Sequence, residues 1–289
     1  MGWATSNDYK GKIMADKDEK KVAEKKKSDV VVAGAAMFEA DAGAGMQMTE
    51  DDLALPFLKI VSSELLNQDE AIADKAKLGD MINSVTKQVY SGKTPIKVIP
   101  CHYKREFLMW APRGSGNGAP LKIFGPEDQR PSTTRSADDN KEYVDGMQGE
   151  YIDETHQHYV LILEDNGTWS NALISMKSTQ LKKSRQWNSM IATRSMVGAN
   201  GPFTPPRFSH IYNLSTNKEE NSKGVWHGWK IELEGAIEDA GQYQAAKSFH
   251  QAISAGTVTV KHEDGGPAQS GQPAAAQATG DDDSDQIPW

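Results

Sequence analysis

Asp165-Asn166-Gly167 stands between two apolar, β-prone runs, His156 to Leu163 and Thr168 to Met176. Asn and Gly tolerate the positive φ that a tight hairpin turn demands, so this tripeptide commits the middle of the chain to antiparallel β-structure. Phe208 to Leu214 and Val225 to Leu233 predict a second hairpin across a polar loop, Ser215 to Lys223. Ile82 to Tyr90 and Ile96 to Trp110 carry the same residue types, with Ser91-Gly92 as the turn between them. Pro100 has no N–H to give a ladder, which predicts an edge position or a bulge in the second run. Residues 177–195 place Trp187, Met190 and Ile191 at helical spacing. Residues 238–254 do the same with Tyr243, Ala246, Phe249 and Ile253, opened by Glu238 and Asp239 and stopped by Gly256. Many strands with one or two helices predict a mainly β (α+β) domain, either a barrel or a sandwich.

The ends differ from this middle. Residues 1–28 are rich in lysine and lack apolar periodicity, as in a disordered arm, which is expected to extend to residue 48. Val30 to Phe38 is apolar but too short to span a bilayer, and acids are mixed with the preceding lysines, unlike a secretory signal. The ordered domain is expected over residues 49–262, with a long loop or insertion near 112–155, where Gly, Pro and charge accumulate. Gly265 to Gly280 holds Gly, Pro, Ala, Gln, Ser and Thr, which cannot build a core. Residues 263–289 therefore read as a flexible linker and an acidic tip. A single cysteine, Cys101, excludes a disulfide framework within the chain and a Cys-rich zinc module.

The formal charge of −8 argues, on its face, against a nucleic-acid partner. Its distribution reverses that inference. Residues 81–126 hold seven bases and one acid, Glu106, while residues 166–218 hold seven bases and no acid. Between them, residues 127–165 hold three bases and eleven acids. Both basic blocks are interleaved with aromatic rings. The first has Lys97, Tyr103, Lys104, Arg105, Trp110, Arg113 and Lys122. The second has Lys177, Lys182, Lys183, Arg185, Arg194, Phe203, Arg207 and Tyr212. Cations that track phosphates and flat rings on which bases stack are what a single strand requires, each stacked base contributing about 1–3 kcal/mol. Strand alternation predicts Phe208, His210 and Tyr212 on one face and Arg207 on the other. Trp187 shares its helical face with Met190 and Ile191, so it reads as core, with Lys182 and Arg185 pointing nearly opposite.

Other constellations carry less. Gly92-Lys93-Thr94 lacks the first glycine of a phosphate loop, since Lys87 stands there, and Pro95 would break the following helix. His156-Gln157-His158 puts two imidazoles on one strand face, but without a third ligand they read as surface histidines. Neither a Ser/His/Asp arrangement nor a carboxylate pair is recognisable. The expectation is a protein that is not an enzyme and needs no metal.

The chain ends Asp281-Asp282-Asp283-Ser284-Asp285-Gln286-Ile287-Pro288-Trp289. Acids followed by an apolar tripeptide suit a docking peptide, whose terminal ring enters an apolar pocket while basic residues take the carboxylates. The same tip could fold back on a basic groove of its own chain. This tip resembles that of bacterial single-stranded DNA-binding proteins, Asp-Asp-Asp-Ile-Pro-Phe, with Trp289 in place of Phe and Ser284 to Gln286 inserted. The central run, from Asp52-Leu53-Ala54-Leu55-Pro56-Phe57-Leu58-Lys59-Ile60 through Lys177-Ser178-Thr179-Gln180-Leu181-Lys182-Lys183-Ser184, resembles bacteriophage-type single-stranded DNA-binding proteins. That resemblance implies an oligonucleotide-binding (OB-like) barrel, no cofactor, possible self-association and a place in the cytoplasm of a bacterial host. It further implies roles in DNA replication, recombination and repair, with single-stranded DNA as ligand. Replication or recombination proteins would be recruited through Asp281, Asp282, Asp283, Asp285, Ile287, Pro288 and Trp289. The rival expectation is a non-catalytic phage structural or interaction protein that uses the same tip as a docking peptide.

Overall fold

The computed structural model describes residues 54–115, 118–221 and 224–258, together with Val260 and seven residues between Phe38 and Met46. Nearly all of the expected N-terminal arm, and the whole of the linker and acidic tip, lie outside the described residues. The chain divides into two units, residues 1–49 and 50–289, and all elements below belong to the second. Among the described residues no helix is long and apolar enough to cross a membrane.

The unit is mainly β. Two long strands form its spine, β4 (Ile96–Trp110) and β8 (Tyr151–Leu163), paired antiparallel over nearly their whole length. The expected hairpin follows, with β9 (Trp169–Lys177) returning along β8 and Gly167 supplying a φ of +84° in the turn. On the other side of β4 lie β12 (His210–Asn221) and β13 (Gly224–Ala236). The main sheet runs β13-β12-β4-β8 and continues into β7 (Glu142–Val144) and β6 (Thr133–Arg135), with β5 (Lys122–Phe124) on β4 and β9 on β8. It curls into half a barrel.

Pro100 sits at a bulge, as its missing N–H predicts: Pro100 opposes Val160 and His102 opposes Tyr159, which leaves Cys101 as the extra residue. Burial holds the Cys101 thiol un-ionised, pushing its pKa up to about 12. Because side chains alternate along a strand, one extra residue exchanges the faces of everything after it. Before the bulge the even residue Val98 faces the core that contains Val160 and Ile162. After it the odd residues Tyr103 and Arg105 take that face, opposite His158 and His156.

Each face of the sheet carries a helix. The first is covered by α3 (Gln180–Ala192), which inserts Trp187 and Ile191 among Val98, Val160, Ile174 and Tyr212. The second is covered by α4 (Ala240–Ser254), which sets Ala246, Phe249 and Ile253 on Ile99, Cys101 and Tyr159. Asp239 caps α4 by accepting the N–H of Gln242 at 2.8 Å, and Gly256 follows its end with a φ of +76°. Trp187 is fully buried, as its helical spacing predicted.

A small sheet precedes the spine: β1 (Leu58–Ile60), β2 (Met81–Asn83) and β3 (Val89–Tyr90), with α1 (Ser63–Gln68) and α2 (Glu70–Ala73) between its first two strands. The run Ile82 to Tyr90 is thus a hairpin rather than one strand. Gly92 lies where a Cβ would collide with the carbonyl oxygen of Gly79, so only glycine fits there.

Two further expectations are corrected. Ser215 to Asn221, read as loop, continues β12, and the pairing reaches Asn221 opposite Gly224. Its polar side chains are held across strands, with Trp226 Nε1 donating to Glu219 at 3.0 Å. The long connection at 112–155 is not structureless either: it holds β5 (Lys122–Phe124), β6 (Thr133–Arg135), β7 (Glu142–Val144) and the opening of β8. Strands of three residues are too short to display alternation, which is why composition hid them.

Trp187 joins α3 to the first core through its whole side chain. Trp187→Ala is expected to cost about 3–5 kcal/mol, the range for deleting a buried aromatic. The measurement is the urea unfolding midpoint, with the slope unchanged.

Candidate nucleic-acid interface

Beneath α3 the sheet carries a buried polar chain. His158 is 0% and His156 3% exposed, so the reading of surface histidines is wrong. Both are enclosed because β8 places its even residues toward α3, and Ser184 enters from the inner face of that helix. Ser184 Oγ lies 2.7 Å from His156 Nδ1 and 2.6 Å from His158 Nε2. Arg207, from a short 3-10 turn (Arg207–Ser209), places Nη2 2.9 Å from His158 Nδ1 and donates through Nη1 to Asn188 at 2.9 Å. His156 Nε2 is 3.0 Å from Glu154 Oε1. The indole of Trp187 stacks on His158 at 4.6 Å, and Tyr103 lies beside both histidines.

The charges follow from this packing. Burial, then the nearby Arg207, holds His158 well below the usual histidine range, so it is neutral. Burial lowers Arg207 to about 10, which still leaves it charged at neutral pH. The hydrogen bond from His156 and the charge of Arg105 hold Glu154 down at about 2, an ionised carboxylate. The order Ser184, His156, Glu154 resembles an acyl-transfer triad. Ser184 is fully buried, however, and engaged from both sides, so no reacting atom reaches it.

Glu154 opens this interior to the surface. Arg105 Nε donates to Glu154 Oε1 at 2.8 Å, and Arg185 Nη2 lies 4.0 Å from the same oxygen. Arg105 belongs to the first basic block and Arg185 to the second. The fold therefore unites two blocks that an acidic segment separates in sequence. Lys182 is exposed on α3, and Lys183 pairs with Glu219 at 2.7 Å.

A second convergence forms where β4, β8 and β9 meet. Lys177 stands 5.9 Å from the Trp110 ring, and Lys141 lies 3.8 Å over Tyr151 and 3.4 Å from Asp153. Arg113 and Lys177 act on Lys141 by repulsion, although burial is the main cause of its lowered pKa. Lys104 lies on the same face as Lys177, over Tyr159 at 5.7 Å.

The remaining expected residues are scattered. Tyr212 is 1% exposed and packs edge-on to Trp187, so it fills the core and offers no face to a base. Trp110 is also buried, and among the described residues its indole N–H has no partner. Phe208, expected on a strand face with His210, sits in the 3-10 turn and packs on Tyr243 and His250. Lys97 pairs with Glu234 at 2.7 Å, Lys122 covers Phe124, and Arg194 donates to the Met190 carbonyl. Phe203 lies on a separate hairpin, β10 (Met196–Gly198) and β11 (Gly201–Phe203), and is 46% exposed. The tip residues Asp281 to Trp289 lie outside the described residues. Among the described residues no three His, Cys, Asp or Glu side chains are grouped to hold a metal ion.

Glu154, Ser184, Asn188 and Lys141 escaped the sequence reading. For Ser184 a signal existed: it falls on the helical face of Trp187 and Ile191, where a polar residue needs an internal partner. For Lys141 there was none, because its neighbours come from three other segments, at Arg113, at Tyr151 and Asp153, and at Lys177.

A family model described as Pam3 phage gp34-like protein matches residues 24–259. Neither a curated protein nor a solved structure matches the chain.

A carboxylate with a lowered pKa stabilises the fold above its ordinary value of 4.5 and loses that contribution as pH falls toward about 2. The urea unfolding midpoint is therefore expected to fall as pH drops through that window. Glu154→Gln should flatten the fall, and an unchanged pH profile would contradict the pairing.

Proposed function

The chain belongs to the Pam3 phage gp34-like protein family, and from that premise we propose that it is a sequence-tolerant, non-catalytic single-stranded DNA-binding protein. Phage DNA replication and recombination expose single strands, and the protein would coat and protect them. The observation that carries this reading is the meeting of Arg105 and Arg185 at Glu154. It makes one surface from two basic blocks, and one carboxylate does not neutralise two guanidinium groups. Lys182 extends that surface along α3, and Arg113 and Lys177, beside Lys141 and its Asp153 partner, would supply a second phosphate contact.

Sequence tolerance follows from the chemistry. Cations on flexible stems read phosphate charge, and the exposed ring of Phe203 can stack on any base. An oligonucleotide-binding barrel would use its curved sheet in the same way. The tip at Asp281 to Trp289 adds acids and a terminal indole, which suit recruitment of replication or recombination partners.

A gel-shift series with labelled single and double strands, across salt and with magnesium, tests the reading. The expected result is preference for the single strand and an affinity that falls with salt, by about 0.7 in log–log slope per phosphate contact. Arg105→Glu and Arg185→Glu are each expected to weaken binding evenly across sequences and to flatten that slope by about one contact. Absence of affinity for any oligonucleotide would favour a structural or interaction protein of the phage particle, and metal-stimulated cleavage would favour a nuclease. Deletion of Asp281–Trp289 is expected to preserve or strengthen DNA affinity and to abolish partner binding. A truncated protein that binds DNA more weakly would overturn the reading in which the tip folds back on the basic surface of its own chain.

A further inference from the structure

The buried chain under α3 has a direction, and the direction follows from which groups can only donate and which can only accept. Arg207 is donor-only, so the His158 Nδ1 that faces it at 2.9 Å must be an acceptor. A neutral imidazole with a bare Nδ1 carries its proton on Nε2. His158 Nε2–H therefore donates to Ser184 Oγ at 2.6 Å. The Ser184 hydroxyl proton is left to donate to His156 Nδ1 at 2.7 Å, which makes that nitrogen an acceptor too. His156 Nε2–H then donates to the ionised, acceptor-only Glu154 at 3.0 Å. Each ring nitrogen and the hydroxyl are matched by one assignment, which is inferred from the donor and acceptor inventory.

We infer that Ser184 is a positioning residue: its hydroxyl relays a one-way hydrogen-bond chain, Arg207 to His158 to Ser184 to His156 to Glu154, that aims the surface cations Arg105 and Arg185. Glu154 is the last acceptor of the chain and the first contact of both cations. His156 holds Oε1 from within, and Arg105 takes the same atom from outside at 2.8 Å. A fixed Glu154 rotamer therefore fixes where the Arg105 guanidinium stands. The charged and titratable groups that face the histidines are Arg207, Tyr103, Arg105, Glu154 and Arg185. A proton added to His158 Nδ1 would face a guanidinium.

The aiming of Arg105 matters to DNA only if the proposed function holds, and the test separates the two. Histidine ring nitrogens are read by long-range 1H–15N NMR on the full chain, without DNA. The expected result is that Nε2 carries the proton and Nδ1 accepts a hydrogen bond on both rings, His156 and His158. A charged ring, or one protonated on Nδ1, would overturn the inference whatever the protein binds. In Ser184→Ala the His156 ring is expected to lose its fixed tautomer. Oligonucleotide binding should weaken by about tenfold, the scale of one lost hydrogen bond. Ser184→Thr, which keeps the hydroxyl, is expected to restore the tautomers and the affinity. A Ser184→Ala protein with unchanged tautomers would also overturn the inference. A wild type with the expected tautomers and no DNA affinity would instead remove only the DNA-binding reading.

Discussion

The register between β4 and β8 governs what the rest of the molecule can do. Two long strands paired over nearly their whole length make a rigid frame, and the bulge at Cys101 decides which side chains that frame turns toward α3. Upstream of the bulge the even positions of β4 face the first core; downstream the odd positions do. The exchange delivers Tyr103 and Arg105 to the side of His156, His158 and Ser184. Without the extra residue, His102 and Lys104 would stand there instead. A bulge also adds local twist, in keeping with a sheet that curls into half a barrel.

A polar interior survives under α3 because its ring nitrogens, hydroxyl and end groups pair with one another, although among the described residues Arg207 Nε is buried without a partner. A buried donor or acceptor left without a partner costs about 1–3 kcal/mol, so a chain missing one member is worse than an apolar core. Here the ends are fixed by residues of single character, a guanidinium that only donates and a carboxylate that only accepts. The amphoteric groups between them, two imidazoles and a hydroxyl, adjust to that polarity. Trp187 closes the site by stacking on His158, which joins the polar chain to the apolar core on the same helix.

Net charge says little about such a protein's partners. The −8 of the whole chain is a sum over segments of opposite sign. Folding brings Arg105 and Arg185 together across Glu154, and Arg113, Lys141 and Lys177 together near Trp110. It also withdraws residues from service. Lys97 and Lys183 are held by carboxylates, and Tyr212 is committed to the core.

The sequence alone determined the features that rest on local rules. The hairpin at Asn166-Gly167 follows from φ tolerance, the bulge at Pro100 from a missing N–H, the cap at Asp239 from an oxygen that accepts the Gln242 N–H, and the burial of Trp187 from helical spacing. The tertiary structure decided the rest, because it depends on pairings between distant segments. Ser215 to Asn221 is strand only because β13 lies opposite, and the three-residue strands between 112 and 155 exist only as partners of others or of each other. His156 and His158 looked like surface residues because nothing near them in sequence announces Ser184 and Arg207, the groups that make their burial tolerable. A bulge is legible as a proline, but its effect on every later residue of the strand appears only once the partner strand fixes the register.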